Sequence, residues 1–357
     1  MIDYSKKNSN DANFLKAMYF KKPDWVPCSI NILPAAWLKY REALEDLVLR
    51  HPKVFPTFKK GSVDYNSENF APLAKEPSTD RWGTVWGSTA RGMSSHVIDV
   101  PLANWDAFDE WKKNVPDPLT DGDSGPAPDW DAMAKHLADN KGWGNIAWSG
   151  ILDHGFFFMR LTYLRGFENL LMDFATDDPR VHELIAIVAD RCVTVTRKYI
   201  ECGTEAAFFA EDLGMQAALP ISPEMWRKFV KPSYERIMGQ CRDNDIPILM
   251  HSDGHILEII PDLADIGVTM INPQIRANGL DGLVDVAKGR VGISLDLDRQ
   301  LFPFVTPSEI EAHITEAFEA LYLEEGGLML GAECGPDVPI ENIEAICTTM
   351  ESLCELP

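Results

Sequence analysis

A single (β/α)8 TIM barrel with an N-terminal extension is the fold this α/β sequence predicts, and two observations predict it. Six short, almost wholly apolar runs are separated by stretches of helical periodicity, and each run ends in polar or acidic residues. Apolar runs without alternation mean burial on both faces, as helices covering a parallel sheet require. Functional groups at the carboxyl ends of strands are the habit of such barrels.

Taken in order, residues 1 to about 140 are rich in Pro, Trp and loop formers, as in Lys22-Pro23-Asp24-Trp25-Val26-Pro27, and form the extension and early barrel. Trp25 to Ile30 is a candidate first strand. From 141 to 357 the βα repeats become regular, with strands expected at 145–148, 206–210, 246–250, 268–271, 291–295 and 328–332. Helices open at Asp178-Pro179, Ser222-Pro223-Glu224 and Thr306-Pro307-Ser308-Glu309, each with a capping side chain followed by Pro at the first turn.

Composition narrows the function. The 357 residues carry 33 Lys and Arg against 55 Asp and Glu, a net charge of −22. Such a surface repels phosphate backbones and anionic lipid, so neither nucleic acid nor membrane is expected as a partner. No apolar run approaches the roughly 20 residues of a membrane span, and Met-Ile-Asp-Tyr-Ser-Lys-Lys offers no signal-peptide core. Seven scattered cysteines fit a reduced, cytoplasmic setting. No G-x-G-x-x-G, Walker or G-x-S-x-G pattern follows a strand, which removes nicotinamide, ATP and serine hydrolase chemistry.

The strand ends carry the chemistry. The run Ile246 to Met250 leads into His251-Ser252-Asp253-Gly254, and Gly327 to Ala332 leads into Glu333-Cys334-Gly335. In one parallel barrel His251, Asp253 and Cys334 would converge as imidazole, carboxylate and thiolate, a ligand set suited to zinc. Glu211, Asp212 or Glu333 could complete or replace the carboxylate. For Glu211 and Asp212 three roles stay open: orienting a metal-bound imidazole, general base, or helix cap. His255, beyond Gly254, reads as a cap or surface residue. Trp148, Phe156 and Asn272, at or near strand ends, are expected to touch substrate, with Glu211 beside them. Trp82, Trp86, Phe157 and Phe158 add aromatic surface, most of it for the core and the remainder for a flat substrate or a corrinoid face.

The segments Gly166-Phe167-Glu168-Asn169-Leu170-Leu171-Met172-Asp173, Phe208 to Gly214, Ile221-Ser222-Pro223-Glu224, Lys231-Pro232, His251-Ser252-Asp253-Gly254, Asn272-Pro273 and Cys334 together carry a family pattern. By them the chain resembles the uroporphyrinogen decarboxylase superfamily, which includes zinc methyltransferases that move methyl groups to and from corrinoid proteins. In the methylcobamide:coenzyme M branch, zinc is held by a His-x-Cys at one strand end and a later cysteine. His251 and Cys334 match those positions, while Asp253 stands in the middle one. A carboxylate there makes a harder Lewis acid than a thiolate.

The resemblance therefore implies bound zinc, a corrinoid (cobalamin) carried by a partner protein and a small-molecule methyl donor. The direction leaned to is O-demethylation of a methyl ether, with Asp212 and Asp253 as catalytic groups. The alternatives are methyl transfer from a methylcobamide to a thiol, a metal-free ligand-binding barrel, and porphyrinogen decarboxylation. The last is disfavoured: no arginine occupies Pro27-Cys28-Ser29-Ile30-Asn31, and Glu211, Asp212, Asp253, Asp296, Asp298 and Glu333 would repel a polycarboxylate. The oligomeric state, a homodimer included, is open.

Overall fold

The computed structural model describes residues 3–65, 77–87 and 96–355. Its strands are β1 (Cys28–Ile32), β2 (Ser78–Thr79), β3 (Val85–Gly87), β4 (His96–Asp99), β5 (Trp148–Gly150), β6 (Ala206–Glu211), β7 (Ile248–Ser252), β8 (Met270–Pro273), β9 (Gly292–Asp296) and β10 (Leu328–Cys334). The α/β architecture is TIM-barrel-like. The chain divides into two compact units, one comprising Met1–Asp11 with Ala74–Thr269, the other Ala12–Leu73 with Met270–Pro357.

The first unit contains β5, β6 and β7 as a parallel ladder, in which Trp148 pairs with Ala206 and Ala210 pairs with His251. It also holds the antiparallel hairpin sheet β2-β3-β4. Helix Pro179–Glu201 follows β5, and its N-cap Asp178 accepts a hydrogen bond from the Arg180 amide, as the Asp-Pro signal predicts. Its buried stripe of Val181, Leu184, Val188, Cys192, Val195 and Tyr199 repeats every three or four residues, the period that keeps one helical face on the core.

The second unit contains the parallel ladder β1-β10-β9-β8, with Ile32 opposite Cys334 and Leu330 opposite Leu295. Helix Pro307–Leu321 begins in a full capping box, with Thr306 and Glu309 each bonding the other's backbone amide.

Two expectations need correction. Strands start two or three residues later than the apolar runs at β5, β7 and β8, and β1 starts at Cys28 rather than Trp25. Ile146, Ala147, Ile246 and Val268 are buried without belonging to a strand, because an apolar run reports burial and a ladder requires paired backbone. The strands instead extend forward, taking in Glu211, His251 and Cys334. Burial on both faces holds at β9 and, apart from the exposed Phe208, at β6, whereas β10 alternates, with Leu328, Leu330, Ala332 and Cys334 buried and the residues between half-buried. Among the described residues no helix is long and apolar enough to cross a membrane.

Candidate metal centre

His251 is the penultimate residue of β7, and in the first unit three side chains from three strand ends meet around it. His154 lies four residues past β5, and Asp212 immediately follows β6. One ligand atom from each of His154, Asp212 and His251 can be chosen so that all lie within 4.8 Å of one another. His154 Nε2 is 3.1 Å from Asp212 Oδ1, and the two imidazole centroids are 6.2 Å apart. His251 Nε2 lies 3.3 Å from Asp253 Oδ1.

Backbone geometry fixes this cluster. Asp253 and Gly254 run against Asp212, Leu213 and Gly214: the Gly214 amide donates to the Asp253 carbonyl at 3.2 Å, and the His255 amide to Met215 at 2.8 Å. A Cβ on Gly254 would fall 2.1 Å from the Gly214 carbonyl oxygen, and a Cβ on Gly214 2.3 Å from the His255 nitrogen. Gly254 also has φ +81°, which a side chain disfavours. Glycine at both positions lets the two strand-end loops touch backbone to backbone, which brings Asp212 and Asp253 to one side.

Glu211, one residue before Asp212, has no exposure. Its Oε1 accepts hydrogen bonds from the Phe157 amide at 2.8 Å and the Met159 amide at 3.0 Å, and its Oε2 accepts one from the Tyr234 hydroxyl. Burial pushes its carboxyl up to about 7, against the pull of those backbone amides. Of the three roles open in the sequence, this geometry is that of a cap: Glu211 holds the first turn of helix Phe158–Arg165 and, with it, the loop that carries His154. Its polar atoms are engaged inside the protein, so contact with substrate would require that cage to open.

The other expected residues fall as follows. Asp212 and Asp253 are partly exposed. Phe156 is buried against Phe209 and Tyr234 at centroid distances of 5.5 Å each, and Trp148 opens β5 half-buried. Trp82, Phe157 and Phe158 are core. In the second unit, Asn272 donates to the Ser294 carbonyl at 2.6 Å and so ties β8 to β9. Cys334 ends β10 fully buried, its thiol pushed up to about 12 by that burial with Glu333 and Asp337 adding to it. Glu333 is paired with Arg299 at 2.7 Å and Asp298 with Arg276 at 2.8 Å.

Sequence reasoning passed over His154. The expected strand at 145–148 points toward it, and His154 sits on the loop that follows that strand, just before Gly155, which has φ +76°. Asp212 lifts the His154 imidazole above its ordinary range through their hydrogen bond, with burial opposing. Two imidazoles and a carboxylate within one small volume, partly open to solvent, match the nitrogen and oxygen donors of a catalytic zinc site that keeps a position for substrate. His154, Asp212 and His251 can hold such an ion, with Asp253 beside them.

Residues 158–353 match the family model described as Uroporphyrinogen decarboxylase (URO-D). Among solved structures, a methyltransferase from Methanosarcina mazei aligns with a TM-score of 0.59 at 14% identity, over 96% of this chain and 98% of that one. A B12-independent methionine synthase from a Shewanella species aligns at 11% identity over 49% of this chain and 54% of that chain, with a TM-score of 0.34. A Xanthomonas albilineans dihydropteroate synthase aligns at 19% identity over 47% and 62%, with a TM-score of 0.32. No curated protein sequence matches the chain. The family match covers more than half of the sequence, and the fold likeness to the Methanosarcina protein spans nearly all of it: the chain belongs to the uroporphyrinogen decarboxylase family.

Proposed function

We propose that the protein is a zinc-dependent methyltransferase that takes a methyl group from a small-molecule methyl ether, a methoxylated aromatic, and passes it to a corrinoid protein. The observation that carries this reading is the His154, Asp212 and His251 cluster, whose ligand atoms lie within 4.8 Å of one another on a barrel-type fold. Zinc held by these residues would supply Lewis acidity to an ether oxygen. The donor set favours that direction, because imidazole and carboxylate leave the metal harder than thiolates would and suit an oxygen substrate.

The protein's own groups have distinct tasks. His251 and His154 supply nitrogen ligands. Asp253, 3.3 Å from His251 Nε2, orients that ring or joins as an oxygen ligand. Asp212 holds a proton at His154 Nε2 until metal replaces it. Glu211 holds the first turn of helix Phe158–Arg165 and the loop before it. Cys334 is proposed as a further ligand from the family resemblance alone. The formal charge of −22 leaves a corrinoid protein with a basic docking face as the fitting partner.

The experiment mixes zinc-loaded protein with a reduced corrinoid protein and a panel of methoxylated aromatics, and follows corrinoid absorbance together with release of the free phenol. Both signals should appear, and ethers of more acidic phenols should react faster because less charge must be stabilised on the leaving oxygen. Inertness toward every ether, with methylation of a thiol from methylcobalamin instead, contradicts the reading.

A further inference from the structure

The first unit has a cavity of about 90 Å3 whose lining includes Gly150 to Asp153, the residues leading up to His154. It is bounded by the end of β5, helix Pro179–Glu201 and the 118–130 loop. One water needs roughly 10–15 Å3, so the cavity takes a molecule of several heavy atoms. Four aromatic side chains line it: Trp82, Trp130, Phe156 and Tyr199. Trp130 and Tyr199 meet edge to face at 5.3 Å, a corner that suits the positive charge of an alkylated ammonium group.

The charged groups are placed unevenly. Asp121, Asp123 and Asp153 line the cavity against one guanidinium, that of Arg191. Asp123 is committed: its carboxylate accepts from Trp82 Nε1 at 2.8 Å and from Arg160 Nη2 at 2.7 Å, and lies 3.3 Å from Arg191 Nη2. Asp153 is exposed, hydrogen-bonds the Asp123 carboxyl and feels the Arg160 and Arg191 charges, but forms no ion pair among the described residues. Arg191 is 8% exposed, and both of its acceptors, the Asp121 carbonyl at 2.8 Å and Asp123, are reached by Nη2. Its Nε donor has no hydrogen-bond partner, and a buried donor left unsatisfied is destabilising. The cavity thus offers a carboxyl with no ion pair of its own, a guanidinium with an unmatched donor, and an aromatic corner.

We propose that this cavity binds a small ammonium carboxylate, an amino acid or its N-alkylated form, with the ammonium group on Asp153 and the aromatic corner and the carboxylate on Arg191. Either charge alone would leave one side unmatched. The inference stands apart from the metal reading, since none of these groups is a proposed ligand.

Calorimetry and saturation-transfer NMR on the full chain test it with four probes. Trimethylglycine and glycine carry both charges, 3,3-dimethylbutanoate keeps the shape and the carboxylate without the cation, and tetramethylammonium keeps the cation alone. One of the two zwitterions should bind at least tenfold more tightly than either single-charge probe. Asp153→Asn, at an exposed position, should weaken it about tenfold. Trp130→Leu, outside the charge network, should weaken trimethylglycine binding severalfold. Absence of zwitterion binding overturns the proposal, as does a single-charge probe that matches it or binding that Asp153→Asn leaves unchanged.

Discussion

A buried carboxyl group records its burial as a pH dependence of stability. Glu211 is held near 7 in the fold against an ordinary value of 4.5, so between those two values the unfolded chain ionises while the folded one keeps its proton. The unfolded state then binds fewer protons, and stability must fall as pH rises from about 4.5 to about 7. The loss from this group is about 3 kcal/mol at 1.4 kcal/mol per unit. Urea titrations across that window should show the decline, and Glu211→Gln should flatten it. An equal slope in the variant would mean that Glu211 is not the group responsible.

His154 makes a second prediction at this scale. A proton at His154 and a metal ion compete for the same nitrogen, and Asp212 favours the proton. Zinc affinity should therefore fall steeply as pH drops into the histidine range, with proton release on binding measurable by calorimetry in buffers of different ionisation enthalpy. Residue-scale features were only half legible in the sequence. His251 and Asp212 could be read because each follows an apolar run within a residue or two. His154 was harder to read, since three loop residues, Ile151, Leu152 and Asp153, separate it from β5 and nothing local fixes where such a loop turns. Glu211 was marked as a functional acid, but its partners Phe157, Met159 and Tyr234 are brought in from 23 to 54 positions away.

Among the elements, the two strand-end loops depend on glycine. Gly254→Ala would place a Cβ 2.1 Å from the Gly214 carbonyl oxygen at a positive φ. It should cost on the order of 2–4 kcal/mol through overpacking and strain together, and it should weaken zinc retention because Asp212 and Asp253 ride on the displaced backbone. Thr306→Ala removes one half of a capping box in the second unit and should cost about 1 kcal/mol with zinc retention unchanged. Thermal melts with metal analysis on both variants separate structural from functional loss. Helix starts were the most legible elements, because Asp178, Ser222 and Thr306 act through bonds to amides two or three residues on. Strand starts were misplaced because a buried apolar residue looks the same inside a ladder and just before one.

For the whole molecule, the order of elements was readable from alternation of apolar runs and helical periods, and family membership from residues 158–353 agrees with it. Distances between groups on different strand ends were not readable, since spacing in sequence carries no information on separation across a barrel mouth. The central claim is that His154 and His251 share one zinc ion. Zinc K-edge absorption spectroscopy of the loaded protein, compared with the His154→Ala and His251→Ala variants, tests it most directly. About one zinc per chain is expected, in a shell of two imidazoles with oxygen donors and at most one sulfur, with loss of an imidazole contribution or of the metal in each variant. A shell dominated by sulfur, or an unchanged spectrum in both histidine variants, would contradict it.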